Sequence, residues 1–317
     1  MTSQLPTISV PGNSIDITDS TYRLRPEDDA LPDQHLDESI QRMGILQPPL
    51  LQLGQDNNET RYIILSGYKR ILAAQSHGFG DIVCLILPLS TEPALKWHII
   101  LTHALIGSRL SCIEQATFFS KAAKELSSSE QLLLLPLLER KPQPYVLKEL
   151  AGYLTLAPET TKALHAGYLH EKRAKQLAKL SHQDQRSIIE LIRYYKLGGT
   201  KQKKLVNMAF ELVMRTGDSF QEILEKWNHD QFAAENRPQQ AMALLSWLER
   251  QCFPQSTIAS EQFKQFQRQL QLPKNYTLTP SPSFEDDSLT LSIFFADQNQ
   301  FLQHWPSLKD IMARDHE

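Results

Sequence analysis

The segment RYIILSGYKRILAAQ, residues 61–75, constrains the fold more than any other part of the sequence. It begins with an apolar run typical of a buried strand and ends in small and apolar residues typical of a packed helix. Ser66 and Gly67 therefore mark a strand that turns directly into a helix. Lys69 and Arg70 lie in the first helical turn, where the macrodipole is already positive, so each is disfavoured there unless an anion binds nearby. The segment predicts an α+β domain with a candidate phosphate site.

The first ninety residues predict a compact α+β domain around this segment. Leu36, Ile40 and Met43 lie on one face of a helix that Gly44 is well placed to end. Two antiparallel strands are expected on either side of the turn-forming residues 54–59. The other expected elements are strands at 21–25, 49–53, 61–65 and 82–87 and a helix from 68 to about 77.

The middle of the chain, residues 91–232, predicts an all-α domain. Ser111 with Glu114, and Ser181 with Asp184, have the spacing of capping boxes at helix starts. The best candidate for the linker that follows is AAENRP, residues 233–238. Residues 236–317 then predict a small α+β domain in which a helix, the strands YTLTP and SLTLSIFF and a closing helix follow one another.

Composition excludes several classes of protein. No stretch approaches 18 consecutive apolar residues and the N-terminus lacks a secretory pattern, so we expect a cytoplasmic protein without a membrane segment. Cys84, Cys112 and Cys252 are far apart and form no CxxC pair, which favours reduced cysteines over a disulfide or metal site. No metal site is expected.

The net charge of −3 conceals a strongly basic segment. Between Lys162 and Lys204 there are eleven Lys or Arg and only three Asp or Glu. A basic segment inside an otherwise acidic chain indicates a localised surface for anions, although a set of solvated helix faces would have the same composition.

Two phrases in the first domain resemble a known family. LDESIQRMGILQPPLLQL, residues 36–53, and YIILSGYKRILAAQSHGFGDIVCLIL, residues 62–87, are similar in order and spacing to the N-terminal domain of the bacterial ParB chromosome-partition proteins, of the ParB/sulfiredoxin-like superfamily. SRLSCIEQA (108–116) and residues 154–180 resemble the helical domain of the same family more weakly. The resemblance implies chromosome or plasmid partition, or another transcription-related association with DNA.

The resemblance also implies a site for CTP or another nucleotide. In the family, the SG-x-[KR]-R turn holds phosphates, which assigns Gly67, Lys69 and Arg70 to them and puts Gly44 and Gln47 beside the nucleotide. The family's second nucleotide motif, glutamate-asparagine-x-x-arginine, corresponds here to residues 103–107, which read HALIG. Because these residues cannot neutralise a metal-bound triphosphate, we expect a degenerate site that does not hydrolyse CTP. His98 and His103 are interpreted as helix surface.

A helix-turn-helix is expected over residues 127–153, but in degenerate form. Pro136 interrupts its first helix and KPQP replaces the usual turn, whereas Pro144 can open a second helix with Val146, Leu150 and Leu154 inward. Few polar side chains remain for reading bases, so the expected DNA contacts are to phosphates. Their candidate residues are Lys148, Lys172, Arg173, Lys175, Lys179 and Arg186.

Two other functions remain open. A nucleotide sensor or small-molecule kinase could use the same N-terminal domain, with Glu27, Asp28 and Asp29 as candidate carboxylates. Sulfiredoxin-type chemistry is excluded because it needs a cysteine in the SG turn. An interaction module that has lost both ligands is the third hypothesis, and it predicts a C-terminal domain that forms a homodimer or binds a partner protein.

Overall fold

A computed structural model describes residues 5–26, 32–54, 61–107, 109–227, 236–281, 286 and 288–314. The chain divides into two compact units, Met1–Lys226 and Trp227–Glu317. The predicted border near residue 90 lies inside the first unit and stays a prediction. No helix in the described ranges is long and apolar enough to cross a membrane.

A mixed five-stranded sheet forms the start of the first unit, in the order β1-β5-β3-β4-β2. Strands β3 and β4 are antiparallel, as predicted, whereas β5 runs parallel to β3. Strands β1 and β2 were not expected from the sequence. The five strands are β1 (Thr7–Pro11), β2 (Ile15–Asp16), β3 (Leu50–Leu53), β4 (Tyr62–Ser66) and β5 (Asp81–Leu87).

The strand predicted at residues 21–25 is wrong. This segment has no regular structure, because Tyr22 packs on the helix that contains Trp97 instead of joining the sheet. The buried Tyr22 ring lies 5.3 Å from the ring of Trp97 and its hydroxyl accepts a hydrogen bond from Lys96. Alternating residue types in a short segment do not determine which surface it packs on.

Two helices cover the sheet, α1 (Gln34–Met43) and α2 (Tyr68–Ser76). Gly44 ends α1 with a positive φ of 72°, as predicted. The expected apolar face is only partly buried, since Ile40 is inside the core whereas Met43 is 61% exposed. Residues Val10, Leu51, Ile64 and Ile71 complete the core between sheet and helices.

The rest of the first unit is helical, as expected. Ser111 and Glu114 form the predicted capping box. Ser181 caps its helix, but the box is incomplete because the Asp184 carboxylate instead accepts the Phe220 N–H at 2.6 Å. The helices are α3 (Pro93–Gly107), α4 (Cys112–Ala122), α5 (Ser128–Leu134), α6 (Pro144–Tyr153), α7 (Pro158–His165), α8 (Glu171–Leu177), α9 (His182–Tyr194), α10 (Gly199–Thr216) and α11 (Phe220–Glu225).

The second unit contains two helices, a two-stranded antiparallel sheet and a closing helix, whereas the sequence predicted a single helix before the strands. Its elements are α12 (Arg237–Cys252), α13 (Pro254–Gln269), β6 (Tyr276–Pro280), β7 (Leu289–Ile293) and α14 (Gln298–Arg314). Residues 233–235 of the predicted linker and most of the two hairpin turns lie outside the described residues, and the rest of the linker belongs to the start of α12.

Candidate functional site

A cleft of about 350 Å³ opens where β4 turns into α2, and we call it the Gly67 cleft. Its lining includes the predicted residues Gln47, Gly67, Lys69 and Arg70. It also includes Arg23, Arg25, His103 and Glu114, which come from the segment after β2 and from α3 and α4. Four cationic side chains, those of Arg23, Arg25, Lys69 and Arg70, thus line one cleft, and their use as an anion site stays a prediction.

Gly67 is required by its backbone and by close packing. It has a φ of 102°, and its carbonyl accepts the first two α2 N–H bonds, from Arg70 and Ile71. A Cβ at this position would lie 3.0 Å from the Cβ of Pro49 and 3.1 Å from the Cα of Pro49. The close backbone approach expected for a phosphate is therefore made here by Pro49, and phosphate binding stays a prediction.

The Arg70 side chain folds back over its own helix start. Its Nη1 donates to the backbone carbonyl of Gln47 at 2.6 Å, and its Nη2 is 3.0 Å from where a Cβ on Gly67 would be. Burial lowers the pKa of this guanidinium, which nevertheless stays charged at neutral pH. Arg70 thus binds the loop before β3 while lining the cleft.

The two loop residues assigned to the nucleotide have different positions. Gln47 lines the cleft, and its amide approaches the backbone carbonyl of His103 at 3.5 Å. Gly44 is absent from the lining and donates its N–H to Ile40 at the end of α1. The structure therefore gives Gly44 a helix-ending role.

His103 is the site residue that sequence reasoning misplaced. The interpretation as helix surface is right for the exposed His98 and wrong for His103, which is only 7% exposed. Its Nε2 lies 3.0 Å from the carbonyl of Pro48, so this nitrogen carries the proton, while Nδ1 has no hydrogen-bond partner among the described residues. Burial, and then the charge of Arg70, lower the pKa of His103 and keep the ring neutral.

The described lining fits a metal-bound triphosphate poorly. Ala104 and Gly107 contribute no charge, and Glu114 is already paired with Arg25 at 2.9 Å and with the N–H of Ser111. A hard divalent cation prefers several oxygen ligands. No group of three His, Cys, Asp or Glu that could hold a metal occurs in the part of the chain that the structure describes. Glu27, Asp28 and Asp29 lie outside that part.

Comparison with known proteins identifies the domain that supplies most of the cleft lining. Residues 9–102 match the model of the ParB N-terminal domain. This match confirms, for these residues, the resemblance to ParB-like proteins that the sequence predicted. The mixed sheet with its helical continuation agrees with the predicted ParB/sulfiredoxin-like α+β class.

Curated relatives share modest identity with this chain. A probable chromosome-partitioning protein ParB of Neisseria meningitidis serogroup A is 29% identical over 118 residues, which are 37% of this chain and 40% of the relative. A protein of the same description from Coxiella burnetii is 24% identical over 217 residues, 68% of this chain and 64% of the relative. The first relatives are thus matched over less than half of their length.

Solved ParB structures are similar at a greater distance. The C-terminally truncated ParB of Caulobacter crescentus complexed to the centromeric parS site is 18% identical, with 63% of this chain and 98% of that chain covered and a TM-score of 0.35. A Pnob8-like ParB-N domain is 14% identical, with coverages of 71% and 99% and a TM-score of 0.38. Such distant likenesses carry no argument about this chain.

Two consecutive helices, α5 and α6, lie where the degenerate helix-turn-helix was predicted. Helix α5 continues as a 3-10 turn at Leu135–Leu138, where Pro136 prevents a regular helix, and Pro144 opens α6. The described contacts join α6 to α4, α5 and α8. Val146 and Leu150 are buried, as predicted, but Leu154 is 39% exposed because α6 ends before it.

The six predicted DNA-binding residues differ in what they contact. Lys148 on α6 and Lys172 on α8 are exposed. The other four have partners within the protein and do not share one face: Arg173 donates to Gln176 and Asn207, Lys175 pairs with Glu149 at 2.6 Å, Lys179 lies 5.7 Å from the Phe210 ring centroid, and Arg186 pairs with Glu159 at 3.3 Å.

A second open groove, of about 1240 Å³, is lined by cationic side chains that are not among the predicted DNA-binding residues. Lys162 and Arg193 contribute to it from the basic segment, and Arg109 contributes from before α4. His165 and His170 also line it, and His165 Nδ1 lies 2.7 Å from Ser111 Oγ. The excess of Lys and Arg between 162 and 204 was the sequence signal for this groove, but it could not show which side chains share it.

Proposed function

We propose that this chain is a DNA-associated partition protein of the ParB kind, which binds DNA through its helical region. The observation that carries the proposal is a ParB N-terminal domain followed by helices α4–α10, among which α6 has an exposed face. Lys148 and Tyr145 are on the exposed face of α6, opposite Val146 and Leu150. The curated relatives, described as chromosome-partitioning proteins, support the same function.

Phosphate contacts dominate the proposed DNA binding. The exposed face of α6 offers few groups that could form paired hydrogen bonds with base edges. Exposed lysines such as Lys148 and Lys172 instead suit phosphates, which fix position and give affinity a steep dependence on salt.

A DNA titration by fluorescence anisotropy tests this proposal. A labelled duplex with a parS sequence and a mixed-sequence duplex of equal length are each titrated at low and moderate salt. Lys148→Ala and Lys172→Ala should each reduce the salt slope by about one unit. Lys175→Ala is the matched control with a smaller expected effect, because Glu149 already neutralises this lysine. No binding at low salt would refute DNA association.

Anion binding in the Gly67 cleft is a second candidate function, favoured by the cationic lining around Arg70. It corresponds to the nucleotide sensor, with CTP or another nucleotide as ligand. A nucleotide at a hundredfold excess over its dissociation constant should stabilise the fold by about 2.7 kcal/mol. Arg70→Ala should abolish that shift, and a panel of nucleotides that shifts nothing would remove this candidate.

Self-association through the C-terminal unit is proposed from the exposure of β7. Leu289 and Leu291 are each 50% exposed and Phe294 is 72% exposed. A two-stranded sheet is marginally stable by itself, and a second copy can extend it and cover these side chains. Sizing of the full chain over a concentration series should show a dimer that Phe294→Asp disrupts and Met214→Asp, a control at 63% exposure in the first unit, does not. A concentration-independent monomer would refute self-association.

A further inference from the structure

A polar network beside α6 includes none of the six predicted DNA-binding residues and lies apart from the Gly67 cleft. Its centre is the Glu171 carboxylate in the first turn of α8, and we call it the Glu171 network. The members besides Glu171 are Cys112 and Gln115 of α4, Arg140 before α6, and Tyr153 at the end of α6. Four separate segments of the helical region therefore meet at one carboxylate.

Arg140 fixes the start of α6 through this network. Its two terminal nitrogens donate to the two oxygens of Glu171 at 2.9 and 3.2 Å, and its Nε donates to the Gln115 side chain at 2.5 Å. Such a fork between guanidinium and carboxylate fixes both distance and orientation. Arg140 directly precedes the KPQP turn, so the entry into α6 is attached to α4 and α8.

The other end of α6 reaches the same carboxylate. Tyr153, which is 1% exposed, has its hydroxyl 2.8 Å from Glu149 and 3.4 Å from Glu171. One α8 turn after Glu171, Lys175 pairs with Glu149. Glu171 thus contacts a residue before α6 and the last residue of α6.

The network is charged at neutral pH and partly shielded from solvent. Burial raises the pKa of Glu171, but the hydrogen bonds from Arg140 and Cys112 outweigh it and leave the pKa below its usual value. Burial, and then Glu171, raise the pKa of the Cys112 thiol to about 12, so this thiol stays protonated and donates to Glu171 at 2.6 Å. The side chain of Arg140 is only 17% exposed.

We propose that Glu171 is a positioning residue for DNA binding, which holds both ends of α6 at the angle that presents Tyr145 and Lys148 to a duplex. This inference rests on the proposed function. Glu171 itself would repel a polyanion, so its removal has opposite consequences under two explanations. Simple electrostatics predicts tighter DNA binding without the negative charge, whereas loss of positioning predicts weaker binding.

The test compares Glu171→Gln with Glu190→Gln in the full chain. Glu190 is exposed on α9 and undergoes the same change of charge and shape. If α6 is correctly placed in about one tenth of the Glu171→Gln molecules, the apparent affinity for the labelled duplex falls about tenfold. The salt slope should stay unchanged because no cation that contacts phosphate is lost, and Glu190→Gln should bind as tightly as wild type or slightly tighter.

Two further measurements keep the proposal refutable. Arg140→Lys keeps the charge but loses the fork, so it should also weaken binding, and it replaces Glu171→Gln if that variant does not fold. Amide hydrogen exchange over residues 146–153 should be faster in Glu171→Gln than in Glu190→Gln. Equal DNA binding and equal exchange in the two glutamine variants would overturn the positioning role. A wild-type chain that binds no DNA would overturn both the proposed function and this role in DNA binding.

Discussion

Replacement of Gly67 by alanine should destabilise the first unit through two separable effects. With a φ of 102°, an L-residue at this position costs about 1–2 kcal/mol. The added Cβ would also lie 3.0 Å and 3.1 Å from two atoms of Pro49, just before β3, and such overpacking typically costs about 1–3 kcal/mol. Arg70 can move away, but Pro49 is buried and cannot.

The matched control is Gly78→Ala. Gly78 also has a positive φ, of 74°, but a Cβ there would meet no atom within 4 Å. Its expected cost is therefore the conformational part alone, about 1–2 kcal/mol. Gly67→Ala should lose roughly 1–3 kcal/mol more than Gly78→Ala, the part contributed by Pro49.

Urea denaturation followed by circular dichroism gives the free energy of unfolding of each variant, extrapolated to water. The expected difference corresponds to about 2–4 °C in melting temperature per kcal/mol for a unit of this size. Equal losses in the two variants would refute the argument that Pro49 closes the space around Gly67.

Two further predictions concern the same region. Because the pKa of His103 is lowered, the unfolded chain takes up a proton that the folded chain does not, so stability should fall as the pH drops below about 6.5. The His103→Gln variant should therefore show a flatter pH dependence of the urea midpoint between about pH 5.5 and 7.5 than the exposed control His98→Gln. Equal slopes in the two variants would contradict this account. Ser111→Ala should cost more than the usual cap loss of about 1 kcal/mol, because Ser111 also contacts His165 at 2.7 Å and positions the buried Glu114. The control is Ser127→Ala, at an exposed capping box. Equal losses of melting temperature in the two variants would contradict this prediction.

Local patterns in the sequence determined most of the elements. The strand before Ser66, the helix after Gly67 and the end of α1 at Gly44 follow from apolar runs and from backbone conformations that glycine adopts at little cost. The capping box at Ser111 and the helix opened by Pro144 depend on residues close together in the chain. The family resemblance also came from contiguous phrases, and the match over residues 9–102 confirms it.

Contacts between distant segments decided the rest. Position 103 looked like helix surface, and only the packing of α3 against the loop before β3 buries His103 against Pro48. Lys175 was predicted to contact phosphate, but the packing of α8 on α6 pairs it with Glu149. Glu171 gave no signal of its own, because its partners at 112, 140 and 153 meet it only through tertiary structure. The sequence by itself thus determined where elements begin and end, whereas the partner of each charged side chain depended on which helix faces came together, since helical periodicity shows the buried face but not what covers it.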